Sequence, residues 1–126
     1  MNIKNILVPT DFSPCSKNAV RIAVDLSKKL GAKIHLINAI HVPTPHMDIG
    51  GQAMIEPMLE EYEEEIDKKF DALDEEIPGL KDVKHDHRAY VSFTIDAIYT
   101  AMETKKIDMI VMGTKGSHDT LEKLLG

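Results

Sequence analysis

Cysteine is almost absent from the chain: Cys15 stands alone, so no internal disulfide can form, and such usage fits a reducing compartment such as the cytoplasm. Long apolar runs are missing as well. The N-terminal Met1–Val8 segment reaches Pro9 after only a few apolar residues, too few for a signal-peptide core or a membrane span. Basic residues are in deficit, with 15 Lys and Arg against 21 Asp and Glu and a formal charge of -6. That balance repels phosphate backbones and anionic lipid, so neither nucleic acid nor a membrane surface is expected as a general partner. There is no internal repeat or low-complexity tract. Two signatures of nucleotide enzymes, G-x4-G-K-[ST] and G-x-G-x2-G, do not occur, and no carboxylate pair is evidently placed to hold Mg²⁺ and orient a water. Rapid ATP hydrolysis is therefore not expected. His85 and His87 share a face of one strand, and His41, His46 and His118 fall in connections. With no Cys pair or HExxH spacing among them, a zinc site is not expected either.

What is present fits one domain: 126 residues, 43% hydrophobic, enough for a real core. Ile6-Leu7-Val8 reads as a first strand, and Pro9-Thr10-Asp11-Phe12-Ser13 supplies turn and cap chemistry after it. Apolar Ala19, Ile22, Ala23, Leu26 and Leu30 then recur at helical spacing from Pro14, with Ser13 as cap and Gly31 as stop. Ile34–Ile40 is a second strand covered on both faces. His41–Ala53, with two prolines and a Gly-Gly pair, reads as a long connection whose tip forms a lid. A helix is expected from Pro57, with Met58, Leu59, Tyr62, Ile66, Phe70 and Leu73 inward and an acidic run outward, ending at Pro78-Gly79. A strand over Val83–Val91, a helix over Thr94–Lys105 with Ala97, Ile98, Ala101 and Met102 inward, and a strand over Asp108–Met112 complete the series.

Strands separated by helices imply parallel pairing, because a parallel return needs a crossover, and helices must then cover both faces. The fold class is α/β, a doubly wound parallel sheet. Ligands in such sheets bind beyond the carboxyl ends of the strands, where strand order reverses. With strands one and four adjacent, "PTDFS" and "GTKG" face each other across one crevice.

Gly113 and Gly116 follow a buried strand, and without Cβ atoms their backbone can approach phosphate oxygens closely. A helix starting near Asp119 or Thr120 would add its N-terminal N–H groups, and Lys115 a positive charge. The plainer reading is a tight turn off the strand. Asp11 can accept from a ribose hydroxyl or an amino group, or it can close an Asx-turn beside Ser13. Cys15, in the first turn of a helix, is either a thiol of lowered pKa or a small residue with no role.

"ILVPTDFS" together with Gly113-x2-Gly116-x9-Gly126 resembles the universal stress protein family across the whole chain. The resemblance implies a Rossmann-like domain over residues 1–126 that binds ATP or a related adenine nucleotide, and Asp11 or Asp119 could hold Mg²⁺ through its phosphate oxygens, since such sites use one or two carboxylates plus the ligand. It implies that Pro9, Thr10 and Asp11 border base and ribose, that Ala39 contacts adenine, and that Met112, Gly113, Thr114, Lys115 and Gly116 wrap ribose and phosphates. Gly126 would bring the backbone back to the phosphates. Three departures stand out. The family carries Val where Ala39 stands, a glycine in the turn occupied by Val91-Ser92-Phe93, and Ser or Thr followed by a last strand after the third glycine. The domain is accordingly expected to be incomplete at its C-terminus, with homodimer or tandem-domain pairing. The preferred function is a nucleotide-binding stress sensor or regulator. The alternatives are a dimerising interaction protein that binds no nucleotide and a slow ATPase.

Overall fold

The computed structural model describes residues 2–40 and 49–113, with side chains throughout except those of 49–56. Strands and helices alternate: β1 (Asn5–Pro9), α1 (Pro14–Leu30), β2 (Lys33–Ile40), α2 (Ile49–Glu76), a 3₁₀ turn (Leu80–Asp82), β3 (His85–Val91), α3 (Thr94–Lys105) and β4 (Met109–Ile110). The strands pair in parallel in the order β3-β2-β1-β4. The chain thus steps outward from β1 to β3 and then crosses back to the far side of β1. Right-handed crossovers in opposite directions must lie on opposite faces, which is the doubly wound arrangement.

The period-two alternation of the strands sorts the core. Ile6, Val8, Ile34 and Leu36 face α1 and α2, where they meet Val20, Ala23, Val24, Phe70, Leu73 and Ile77. Leu7 and Ile37 point to the other face and meet Ala97, Ile98 and Ala101 of α3. Helix α1 opens on Ser13, whose Oγ accepts the Ser16 N–H, with Pro14 in the first turn. It stops at Gly31, whose φ of 69° is left-handed backbone that suits glycine.

Several inward assignments shift. Ile22 is exposed because it sits about 100° round from Ala23, off the buried stripe. Leu30 and Met102 are also exposed. Helix α2 begins at Ile49 rather than at Pro57, so Gly50, Gly51 and Pro57 lie inside it. Turn-favouring residues lower helix propensity without forbidding a helix, since propensity is a weak prior. At 28 residues it runs about 42 Å, against about 26 Å for the eight residues of β2, so its first half overhangs the sheet. Met58 and Tyr62 are therefore exposed, while Ile66, Phe70 and Leu73 turn inward, followed by Ile77 just past the helix end. The lid expected at the tip of 41–53 lies outside the described residues for 41–48. β3 begins at His85, and the ladder of β4 is two residues long.

His85 and His87 face α2: His85 Nε2 lies 2.9 Å from Asp74 Oδ1, and the His87 ring stacks on Phe70 at 4.5 Å. Among the described residues no group of three or more His, Cys, Asp or Glu is disposed to hold a metal ion. Nor is any described helix long and apolar enough to cross a membrane.

On the α3 side, His35 is buried with Nδ1 2.9 Å from Asp86 Oδ1 and Nε2 2.9 Å from Asn5 Oδ1. Lys33 Nζ reaches Asp86 Oδ2 at 3.1 Å. Partial burial pushes the Asp86 carboxyl up, but the Lys33 and His35 contacts outweigh it and hold the group below the usual carboxylate range. A depressed folded-state pKa contributes stability above the unfolded value, about 3.9, that is lost as pH falls below it. In thermal melts, Asp86→Asn is expected to lower the midpoint at pH 7 and to flatten the decline below about pH 4. Parallel pH profiles for the two proteins would contradict this.

Candidate functional site

The turn after β1 is built from two interleaved side-chain loops. Thr10 Oγ1 accepts the Phe12 N–H at 3.0 Å, and Asp11 Oδ1 accepts the Ser13 N–H at 2.9 Å. Phe12 between them has φ 63°, a left-handed conformation that is strained for a non-glycine residue. Its ring offsets that strain by packing edge-on against Phe70, with centroids 5.0 Å apart. Buried hydroxyls lock the turn to α1: Thr10 Oγ1 lies 2.9 Å from Ser16 Oγ, and Ser16 Oγ donates to the Ser13 carbonyl at 3.0 Å. Asp11 does close an Asx-turn, so the structural role proposed for it holds. The same carboxylate still lines a cavity. The Ser13 hydroxyl holds its carboxyl below the usual range, outweighing the upward push of partial burial, and the Ser13 amide adds to the effect.

Opposite that turn, β4 is aligned with β1 by its entry. Asp108 Oδ2 accepts the N–H groups of Lys4 and Asn5 at 2.9 and 3.0 Å, and Val111 N–H donates to the Leu7 carbonyl at 2.9 Å. The strand therefore delivers Met112 and Gly113 beside the first turn of α1. A Cβ on Gly113 would lie 3.0 Å from the backbone carbon and oxygen of Cys15 and 3.1 Å from its Sγ. Glycine lets β4 and α1 approach this closely, since a Cβ would press on helix backbone.

Between these two segments lies a cavity of about 250 Å³ at the carboxyl ends of β1, β2 and β4. Pro9, Thr10, Asp11, Ala39, Met112 and Gly113, all drawn from the sequence as site residues, line it together. Thr114, Lys115, Gly116 and Gly126 lie outside the described residues. Ser13, Cys15, Ser16, Ile37, Asn38, Thr94 and Ala97 complete the lining. Asn38 escaped the sequence reading, although a lone amide within the apolar run Leu36–Ile40 was a visible signal. It is buried, and its Nδ2 donates to the Thr10 carbonyl at 2.8 Å. Apolar surface from Pro9, Ile37, Ala39, Ala97 and Met112 thus meets a polar wall of Thr10, Asp11, Ser16 and Asn38. No Lys, Arg or His is part of the lining among the described residues.

Fold and cavity together define a doubly wound α/β module with a crevice at its strand-order reversal. The profile of the universal stress protein family matches residues 2–126, and the chain belongs to that family. It is 31% identical to Universal stress protein MJ0531 of Methanocaldococcus jannaschii over 98% of its own length and 71% of the relative's. Among solved structures, hypothetical protein MJ0577 superposes with a TM-score of 0.70 at 23% identity, covering 91% of this chain and 79% of that one. A universal stress protein in complex with cAMP gives a TM-score of 0.54 at 21% identity, covering 87% and 72%. At such identities the structural likenesses speak to the fold.

Because the obstacle to a side chain at Gly113 is helix backbone rather than a flexible tip, it cannot move aside without displacing the first turn of α1. Gly113→Ala is expected to destabilise the protein by about 1–3 kcal/mol. Urea unfolding measures this, and wild-type stability in the variant would contradict the packing account.

Proposed function

We propose that this protein is a nucleotide-binding stress module that takes an adenine nucleotide of the ATP or AMP type in the β1–β4 crevice and acts as a sensor or regulator. The observation that carries the reading is the cavity itself, which sets an apolar side against an ionised, hydrogen-bond-accepting Asp11 at the reversal of strand order. A flat base suits the apolar side, and ribose hydroxyls or an amino group suit the acceptors. The cAMP complex of a family relative supports an adenine ligand for this fold. At about 250 Å³ the space is slightly below the usual range of about 300–1,000 Å³ for small-molecule sites, which suits a nucleoside better than a whole triphosphate. With no cationic side chain in the described lining, phosphates fall to the segment beginning at Thr114, where Lys115 and Gly116 stand. Mg²⁺ would arrive on those phosphates. Homodimer or tandem-domain pairing would carry the bound state to a partner.

A non-binding interaction protein is the competing reading, and the two separate cleanly. In thermal-shift measurements ATP or AMP is expected to raise the melting temperature, with about 2.7 kcal/mol of added stability at a ligand concentration 100 times Kd. Asp11→Asn keeps the Asx-turn acceptor while removing the charge, and is expected to weaken binding about tenfold. No shift with either nucleotide, together with no nucleotide released on denaturing the purified protein, would overturn the proposal.

A further inference from the structure

Asn38 is 8% exposed, and its amide orientation is fixed by its neighbours. Nδ2 donates to the Thr10 carbonyl at 2.8 Å, and the opposite flip would set Oδ1 against that carbonyl, acceptor against acceptor. Oδ1 therefore turns away from Thr10, and it has no hydrogen-bond partner among the described residues. Among those residues Tyr90 Oη is the one sealed side-chain polar atom left without a partner, so the Asn38 oxygen reaches open space. The space that Asn38 lines is the cavity.

The neighbouring hydroxyls of Thr10, Ser13 and Ser16 are engaged with one another. Ser16 donates to the Ser13 carbonyl, which leaves Thr10 as the donor in its contact with Ser16. The Ser13 hydroxyl hydrogen is committed to Ser16 Oγ at 3.3 Å or to the adjacent Asp11 carboxylate. Beside them the side-chain wall presents two acceptors, the Asp11 carboxylate and Asn38 Oδ1, and Thr94 adds a hydroxyl to the same lining. Ile37 and Ala39, its neighbours along β2, point to the other face of the sheet but reach the same lining. A fixed amide acceptor at the margin of an apolar lining suits the edge of a flat base, whereas a sugar is polar on all sides.

Resting on the nucleotide reading above, we propose that Asn38 is a specificity-determining residue whose Oδ1 accepts from an exocyclic amino group. The site thereby selects a 6-aminopurine over a 6-oxopurine, whose carbonyl would meet that oxygen acceptor to acceptor. An unpaired buried acceptor is penalised strongly enough for the discrimination to be large.

Isothermal titration of the wild-type chain with adenosine, purine riboside and inosine tests this without any mutation. Adenosine is expected to bind tightest, purine riboside more weakly, and inosine about tenfold or more weaker than adenosine. Asn38→Leu should lower adenosine affinity and bring the three ligands together, with a melting curve to establish that the variant is folded. Wild-type protein that binds ATP but takes adenosine and inosine equally would overturn this inference and leave the nucleotide reading standing. A folded Asn38→Leu variant that keeps the adenosine preference would overturn it too, and wild-type protein that binds none of these compounds would overturn both.

Discussion

The pairing of β4 with β1 is the contact on which the site depends. It is short, a two-residue ladder, and it is held from both ends. At its start the Asp108 carboxylate takes two backbone N–H groups of the β1 entry, which hold that carboxyl below the usual range. At its end Val111 donates to Leu7. Because β2 claims the other edge of β1, the strand-order reversal falls there, and the two segments leaving β1 and β4 must diverge around an open crevice. A slip of β4 by one residue would invert its side chains and move Gly113 from its close approach to the first turn of α1.

Much of this arrangement was legible in the chain. Ile6-Leu7-Val8 and Ile34–Ile40 declared themselves as buried strands, and Ser13, Pro14 and Gly31 marked the ends of α1. The adjacency of strands one and four, which sequence periodicity does not encode, was an assumption that the strand order bears out. Less was legible wherever tertiary context overrode local preference. Gly50 and Gly51 read as a connection and Pro57 as a helix start, yet all three sit inside α2. Met58 and Tyr62 keep the helical spacing of core residues but overhang the sheet, because spacing says which face a residue shares and not how far the sheet beneath it extends. Polar residues in apolar strands were the larger omission. His35 and Asn38 lie near opposite ends of β2, one tying the sheet to Asp86 and Asn5, the other lining the cavity.

The crevice divides its chemistry between two stretches of chain. Residues leaving β1 and β2 offer acceptors on a rigid frame, since Thr10, Ser13 and Ser16 satisfy one another and Asn38 is pinned to the Thr10 carbonyl. Such a frame suits donor groups and repels phosphate. An anionic ligand would therefore lie with its nucleoside end against β1 and β2 and its phosphates toward the glycine-bearing sequence that follows β4, in keeping with the acidic balance of the whole chain. The strained Phe12 conformation belongs to the same frame, because it lets the turn fold back into two side-chain hydrogen bonds while the ring is buried against Phe70.

The central claim is that a nucleoside occupies this crevice, and amide chemical-shift mapping of isotopically labelled protein during an AMP titration tests it most directly. The account predicts saturable shifts at Thr10, Asp11, Ala39 and Gly113 and at the side-chain amide of Asn38, while His85 and the exposed face of α2 stay still. Saturable shifts confined to α2 and β3, or none at millimolar AMP, would contradict it.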